Sequence, residues 1–172
     1  MDALPATLPA WIEWATLATI FVGMVWDGAR LRIPHSVCLI ILFLMPAWGL
    51  LQPGGVSWLS HLLGFVFTFV LGFVLWRLRW FGGGDVKFLA AIALWFGLRD
   101  LGTFLVTVSL MGAVFAILLV GLRAAYARVA HRAGGDNAPR GLPLLQKGDP
   151  VPYGIAIGLA AFLLRVGMFD IG

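Results

Sequence analysis

The chain has 172 residues, of which 61% are hydrophobic and only 12% charged, with a net charge of +4 and a mean hydropathy of +0.97. A soluble domain carries about twice that charged fraction, so composition sets a soluble domain aside. No basic stripe with interleaved aromatics stands outside the apolar runs, which leaves nothing that points to nucleic acid. The single cysteine, Cys38, falls within an apolar run and permits neither an internal disulfide nor a cysteine metal site.

Several apolar runs are long enough to cross a bilayer as helices, which takes about 18 or more residues. Strand-period alternation is absent, so helices rather than barrel strands are expected. The first helix is read from about Leu8 to Trp26, with Trp11, Trp14 and Trp26 as interfacial aromatics. No Lys or Arg precedes Arg30, so this run is expected to be a retained helix rather than a cleaved signal. A short polar loop, Asp27 to His35, leads to a second helix from about Ser36 to Leu51 and a turn at Gln52-Pro53-Gly54-Gly55. The third helix spans roughly Val56 to Trp76 and carries Gly64, Thr68 and Gly72 four apart, a small-residue face for close packing.

The next loop, Arg77 to Gly84, ends in Gly82-Gly83-Gly84-Asp85-Val86-Lys87. The apolar run behind it, about Val86 to Leu98, would be only ~20 Å long as a helix, short of the ~30 Å hydrocarbon core. Asp85 is therefore expected below the membrane surface, in protein or in a wet cavity. Arg99-Asp100 is read as a brief turn before a fifth helix, about Leu101 to Leu122. Residues 123–149 read as an amphipathic helix end followed by a polar loop rich in Arg, Gly and Pro. The sixth helix starts near Pro150-Val151-Pro152-Tyr153-Gly154, runs to about Met168, and offers Gly154 and Gly158 as a GxxxG face.

Ten of the twelve basic residues fall in the first, third and fifth loops and their flanks. By the positive-inside rule these loops are cytoplasmic. The expected fold is thus an all-α polytopic membrane protein with about six transmembrane helices, both termini outside, and a short fourth helix. Residues 1–172 form one transmembrane domain, with 123–149 as a cytoplasmic loop within it. Asp27 and Asp85, 58 residues apart, then share the cytoplasmic face.

Two carboxylates close together cannot both ionise easily, so they share a proton. The ionised member can activate a water and the protonated member can polarise a peptide carbonyl. Each piece also has a plainer reading. Asp27 alone is an interfacial residue ending a helix, and Asp85 alone is an N-cap for the short helix. Lys87 reads as a snorkelling charge or a partner of Asp85. The run Gly82 to Lys87 is neither a P-loop nor a GxGxxG fingerprint. Asp149 reads as a turn residue, and Glu13 sits at the wrong end of the first helix to be a partner. His35, His61 and His131 show no metal-ligand spacing, so neither metal nor other cofactor is expected.

Taken together, Asp27 with Arg30, Arg32 and Ile33-Pro34, then Gly82-x-Gly84-Asp85-x-Lys87, then Pro152-Tyr153-Gly154, resemble the type IV prepilin peptidases, GxGD-type aspartic proteases of the bacterial inner membrane. The resemblance implies cleavage of a basic leader from prepilin or pseudopilin substrates at the cytoplasmic membrane face, usually after a glycine. Asp27 and Asp85 match the two catalytic aspartates. Gly82, Gly84, Lys87, Pro34, Pro152, Tyr153 and Gly154 match supporting or substrate-binding positions. The short length resembles the compact Tad/Flp-pilus branch, which implies a Flp-type substrate and links to pilus assembly machinery. Larger members add an N-terminal cytoplasmic region with paired cysteines tied to methylation, so cleavage without methyl transfer is expected. His35 departs from the Asn that many relatives carry after Ile-Pro. A preflagellin-type peptidase would share the dyad and differ in substrate. A non-enzymatic membrane assembly factor, whose aspartates only cap helices, or a small proton-coupled transporter would keep the helices and lose the chemistry.

Overall fold

The computed structural model describes residues 7–52, 54–132 and 151–169. These form six helices and no strands: α1 (Thr7–Arg30), α2 (His35–Leu50), α3 (Trp58–Arg77), α4 (Gly83–Ala93), α5 (Gly97–Arg132) and α6 (Tyr153–Phe169). The all-helical expectation holds. Two helices, α3 and α5 over Gly97–Val129, are long and apolar enough to cross a membrane, and α2 and α6 are shorter apolar helices.

The short α4 is the hub. Every residue from Asp85 to Ala93 except Lys87 is buried, and Phe88, Ala90, Ala91 and Ala93 are sealed completely. Around it the helices run α2, α1, α6, α5, α3, each packed on the next, while the backbones of α2 and α3 stay apart, with the Trp58 ring of α3 reaching Gly49 at the far end of α2 and α4 packed between them.

Small residues set how closely these helices approach. On α3 the buried positions are Gly64, Thr68 and Gly72, the face anticipated from their spacing. A Cβ at Gly72 would stand 2.8 Å from Val86 of α4, and one at Gly64 would stand 3.3 Å from the Gly97 backbone. The rest of α3 turns apolar side chains outward, among them Leu59, Phe67 and Val70. Gly158 does the same for α6, since a Cβ there would overlap the side chain of Met24 on α1.

Two boundaries differ from expectation. The chain reverses after α4 at Leu94–Phe96, not at Arg99-Asp100, which lie in the first turn of α5. Gly97 takes the left-handed conformation (φ +64) that ends this turn. Two side chains of α3 hold it: the Ser60 hydroxyl accepts the Leu98 N–H at 3.0 Å, and His61 Nδ1 donates to the Leu94 carbonyl at 2.7 Å. At its other end α5 continues as helix through Arg132, in keeping with the amphipathic helix end read at the start of 123–149; residues 133–150, with Asp149, lie outside the described residues.

Likewise α1 does not stop at Trp26 but runs to Arg30, which makes Asp27 a helical residue. The helix ends where Leu31 turns left-handed (φ 55), with its N–H bonded to the Asp27 carbonyl at 2.8 Å. Pro34 then fixes extended backbone (φ −62, ψ 140) immediately before α2.

Candidate active site

Asp27 and Asp85 are among the few buried polar residues, 3% and 8% exposed. They arrive from different helices, Asp27 from the last turn of α1 and Asp85 from the first turn of α4. Both line one open cavity of about 460 Å³, together with Leu31, Arg79, Phe81 and Tyr153. They are close enough for the charge of one to act on the other.

Asp85 is not the N-cap of α4. That position belongs to Gly82, whose backbone is extended (φ −73, ψ 143), and Asp85 is the third helical residue. Its carboxylate turns back beside Gly82, close enough to feel the Gly82 N–H. This contact requires a glycine, because a Cβ at Gly82 would lie 2.7 Å from Asp85 Oδ2. Gly84 is under no such demand. A Cβ there would meet the Ile33 backbone nitrogen at 3.5 Å, an ordinary contact.

Asp27 is held in the same way from α6. The Gly154 N–H donates to Asp27 Oδ2 at 2.9 Å in a buried setting, and the Asp85 carboxylate also feels that N–H. A Cβ at Gly154 would lie 2.7 Å from Asp27 Oδ2 and 2.9 Å from Ile33 Cδ1. Buried Ile33 therefore touches Gly154 and borders Gly84, which ties the loop after α1 to both helix starts. Pro152 and Tyr153 also line the cavity, and the Tyr153 ring stacks on Phe81 at 4.8 Å and 23°.

The structure thus brings Asp27, Asp85, Gly82, Pro152, Tyr153 and Gly154 together, with Gly84 on the turn beside them. Pro34 does not line the cavity and directs the chain into α2. Lys87 is elsewhere. It neither lines the cavity nor pairs with Asp85, and its Nζ donates to His35 Nε2 at 3.3 Å on the opposite side of α4. Helical spacing explains this: positions 82 and 85 share one face of the first turn, and 83, 84 and 87 share the other.

Sequence reasoning missed Arg79 and Phe81. Arg79 borders the cavity with left-handed backbone (φ 63), a conformation unusual for a residue with a side chain. Proximity to the glycine run was the only available signal.

A model of the type IV leader peptidase family matches residues 14–117. The chain belongs to this family. The matched stretch contains Asp27 and the whole of Gly82 to Lys87 but ends before Pro152-Tyr153-Gly154, so α6 joins the site through geometry, by the Gly154 to Asp27 bond. No curated protein and no solved structure matches the chain. Membership of a leader peptidase family makes a peptidase activity on prepilin-type proteins the coarse functional statement.

Proposed function

We propose that the protein is a membrane aspartic endopeptidase that removes the basic leader of a prepilin or pseudopilin of Flp type, with Asp27 and Asp85 as its catalytic pair. The observation that carries this reading is the meeting of two buried carboxylates, from helix ends 58 residues apart, in one open cavity.

The chemistry follows from the pair sharing one proton. The ionised carboxylate takes a proton from a water as the water oxygen bonds to the scissile carbonyl carbon. The protonated carboxyl donates to the carbonyl oxygen, which gives a tetrahedral diol. The carboxyl that took the water's proton passes it to the leaving nitrogen, the C–N bond breaks as the carbonyl reforms, and the other carboxylate takes the diol hydroxyl's proton, which returns the pair to its singly protonated state. The two aspartates titrate as a unit, so neither is assigned alone as acid or base.

The same reading places the chain in the bacterial inner membrane with six spans, both ends outside, and the dyad near the cytoplasmic face. The lengths of α5 and α4 support the depth given to the dyad. The 36 residues of α5 extend ~54 Å, enough to span the ~30 Å core and project beyond it. The 11 residues of α4 reach only ~16 Å, so its N-terminal Asp85 starts within the membrane. A prepilin whose apolar helix lies in the bilayer would present its scissile bond at that depth.

The test is cleavage of a Flp-type prepilin by the purified protein in lipid, beside Asp27→Asn and Asp85→Asn. Loss of about 10²–10⁴-fold in kcat is expected for each, with the fold retained. A folded variant with full activity would show that its aspartate serves only to hold a helix, as the assembly-factor reading requires.

A further inference from the structure

The gap between α2 and α3 is lined on one side by Leu39 and Leu42 of α2 and on the other by Phe69 and Phe73 of α3. It has two lobes, of about 300 and about 500 Å³, joined at His35, Phe69 and Lys87. Its walls are otherwise apolar, and the only charged side chain among the lining residues is Lys87, at the junction of the two lobes. Neither lobe is lined by an acidic side chain. Asp85, two residues before Lys87 on α4, faces the dyad cavity instead. Lys87 is exposed and spends one donor on His35 Nε2, which leaves the ammonium two further hydrogens directed to its surroundings. Trp76, at the end of α3 just before Arg77, borders the larger lobe, and its indole is of the type that favours a membrane interface.

We infer that the α2–α3 gap is a binding site for one anionic phospholipid, its phosphate on Lys87 and His35 and an acyl chain along the groove. Charge complementarity selects the occupant. A single cation between a lobe that reaches the start of α4 and an apolar lobe along Leu39, Leu42 and Phe65 matches an anionic headgroup with a hydrocarbon chain beyond it, whereas a basic leader peptide would be repelled by Lys87. The site is separate from the dyad cavity yet shares a wall with it, because Gly83 and Gly84 line the groove while Gly82 and Asp85 line the cavity. The bound lipid therefore rests against the back of the turn that presents Asp85. The inference stands on this geometry and not on the catalytic reading.

Native mass spectrometry of the detergent-purified protein, titrated with phosphatidylglycerol and with phosphatidylcholine of the same chains, tests it. Wild type is expected to retain phosphatidylglycerol preferentially. Lys87→Gln should weaken that binding about fivefold and leave phosphatidylcholine unchanged, with Lys87→Arg restoring the preference. Leu39→Trp, which fills the trough, should weaken both lipids. Equal retention of the two lipids by wild type, or no change on Lys87→Gln, overturns the inference. Full displacement of the lipid by millimolar inorganic phosphate also overturns it, since the site would then take the anion alone. A benzophenone side chain placed at Phe69 in membranes is expected to give a lipid adduct; a protein adduct would make the groove a protein-docking surface and refute the lipid assignment.

Discussion

Replacing Gly154 by alanine adds one carbon at the point where α6 meets Asp27. The new Cβ would stand 2.7 Å from Asp27 Oδ2, 3.0 Å from its Cγ and 2.9 Å from Ile33 Cδ1. Ordinary contact begins at 3.4 Å, so the carboxylate must retreat by about 0.7 Å, the difference of 3.4 and 2.7 Å. The Gly154 N–H to Oδ2 bond, now 2.9 Å, then stretches beyond hydrogen-bonding range. A bond of this kind to a charged group contributes about 1.5–3 kcal/mol, which corresponds to roughly 10- to 150-fold in rate if the bond holds the carboxylate in its working position. Stability should change less, because alanine in a helix recovers up to about 1 kcal/mol over glycine. The assay is kcat and KM on a leader-bearing substrate in lipid, with Tm in parallel. The expected result is a fall in kcat with Tm within a few degrees of wild type. Gly102→Ala is the control, since a Cβ there meets nothing within 4 Å and activity should be unchanged. Wild-type kcat in folded Gly154→Ala would refute the argument that this bond positions Asp27.

Within the glycine run, Gly82→Ala should reduce kcat at least tenfold, because its Cβ would press on Asp85 Oδ2, whereas Gly84→Ala should stay within about threefold, its nearest contact being 3.5 Å; equal losses in a cleavage assay would mean that the resting contacts do not set the requirement. Plotted against pH, kcat should be bell-shaped: at acid pH both aspartates are protonated and no base remains, and at alkaline pH both are ionised and no acid remains. A rate that rises to a plateau with no alkaline fall below the range where the protein unfolds would exclude a shared-proton pair. At the opposite end of α1, Trp48 Nε1 donates to Glu13 Oε1 at 2.7 Å while the Arg165 guanidinium lies 5.6 Å from the Trp48 and Trp95 ring centres. Glu13→Ala should lower thermal stability by about 1–3 kcal/mol without changing kcat, measured by Tm and cleavage on the same preparation.

Much of this arrangement is legible in the chain because side-chain size and polarity repeat at helical spacing. The ranges of α2 and α3 lie within two residues of those read from hydropathy, and Gly64, Thr68 and Gly72 form the buried face of α3. The errors have physical causes. Polar Asp27 and Arg30 read as loop, yet a helix carries charge in its last turn without ending there, and the true stop is Leu31 in a left-handed conformation no sequence rule assigns to leucine. The turn after α4 is made of Leu94, Trp95 and Phe96, three apolar residues that periodicity cannot separate from a helix, so the charged pair Arg99-Asp100 drew the boundary instead. Gly97 was the overlooked signal. For the site, residue types named both aspartates, but the partner of Lys87 depended on which way the first turn of α4 faces, and that is fixed by packing of Val86 against Gly72.

The two glycine motifs, far apart in sequence, are one device used twice. In each, a glycine at the start of a helix brings its N–H to a catalytic-candidate carboxylate, Gly82 beside Asp85 at α4 and Gly154 hydrogen-bonded to Asp27 at α6. In each, a Cβ would stand 2.7 Å from a carboxylate oxygen. The need is therefore for a bare backbone donor at close range, and no side chain can substitute. Two helix N-termini, each with unpaired N–H groups and the positive end of its dipole, thus converge on one buried acid pair. Burial opposes negative charge on that pair and the helix ends favour it. A balance between these terms is what a shared proton requires: stronger burial would protonate both acids and leave no base, and stronger donation would ionise both and leave no acid. If the pair is catalytic as proposed, the glycines set the chemistry as well as the packing, and withdrawing either donor is expected to lower kcat in a cleavage assay even with both aspartates in place.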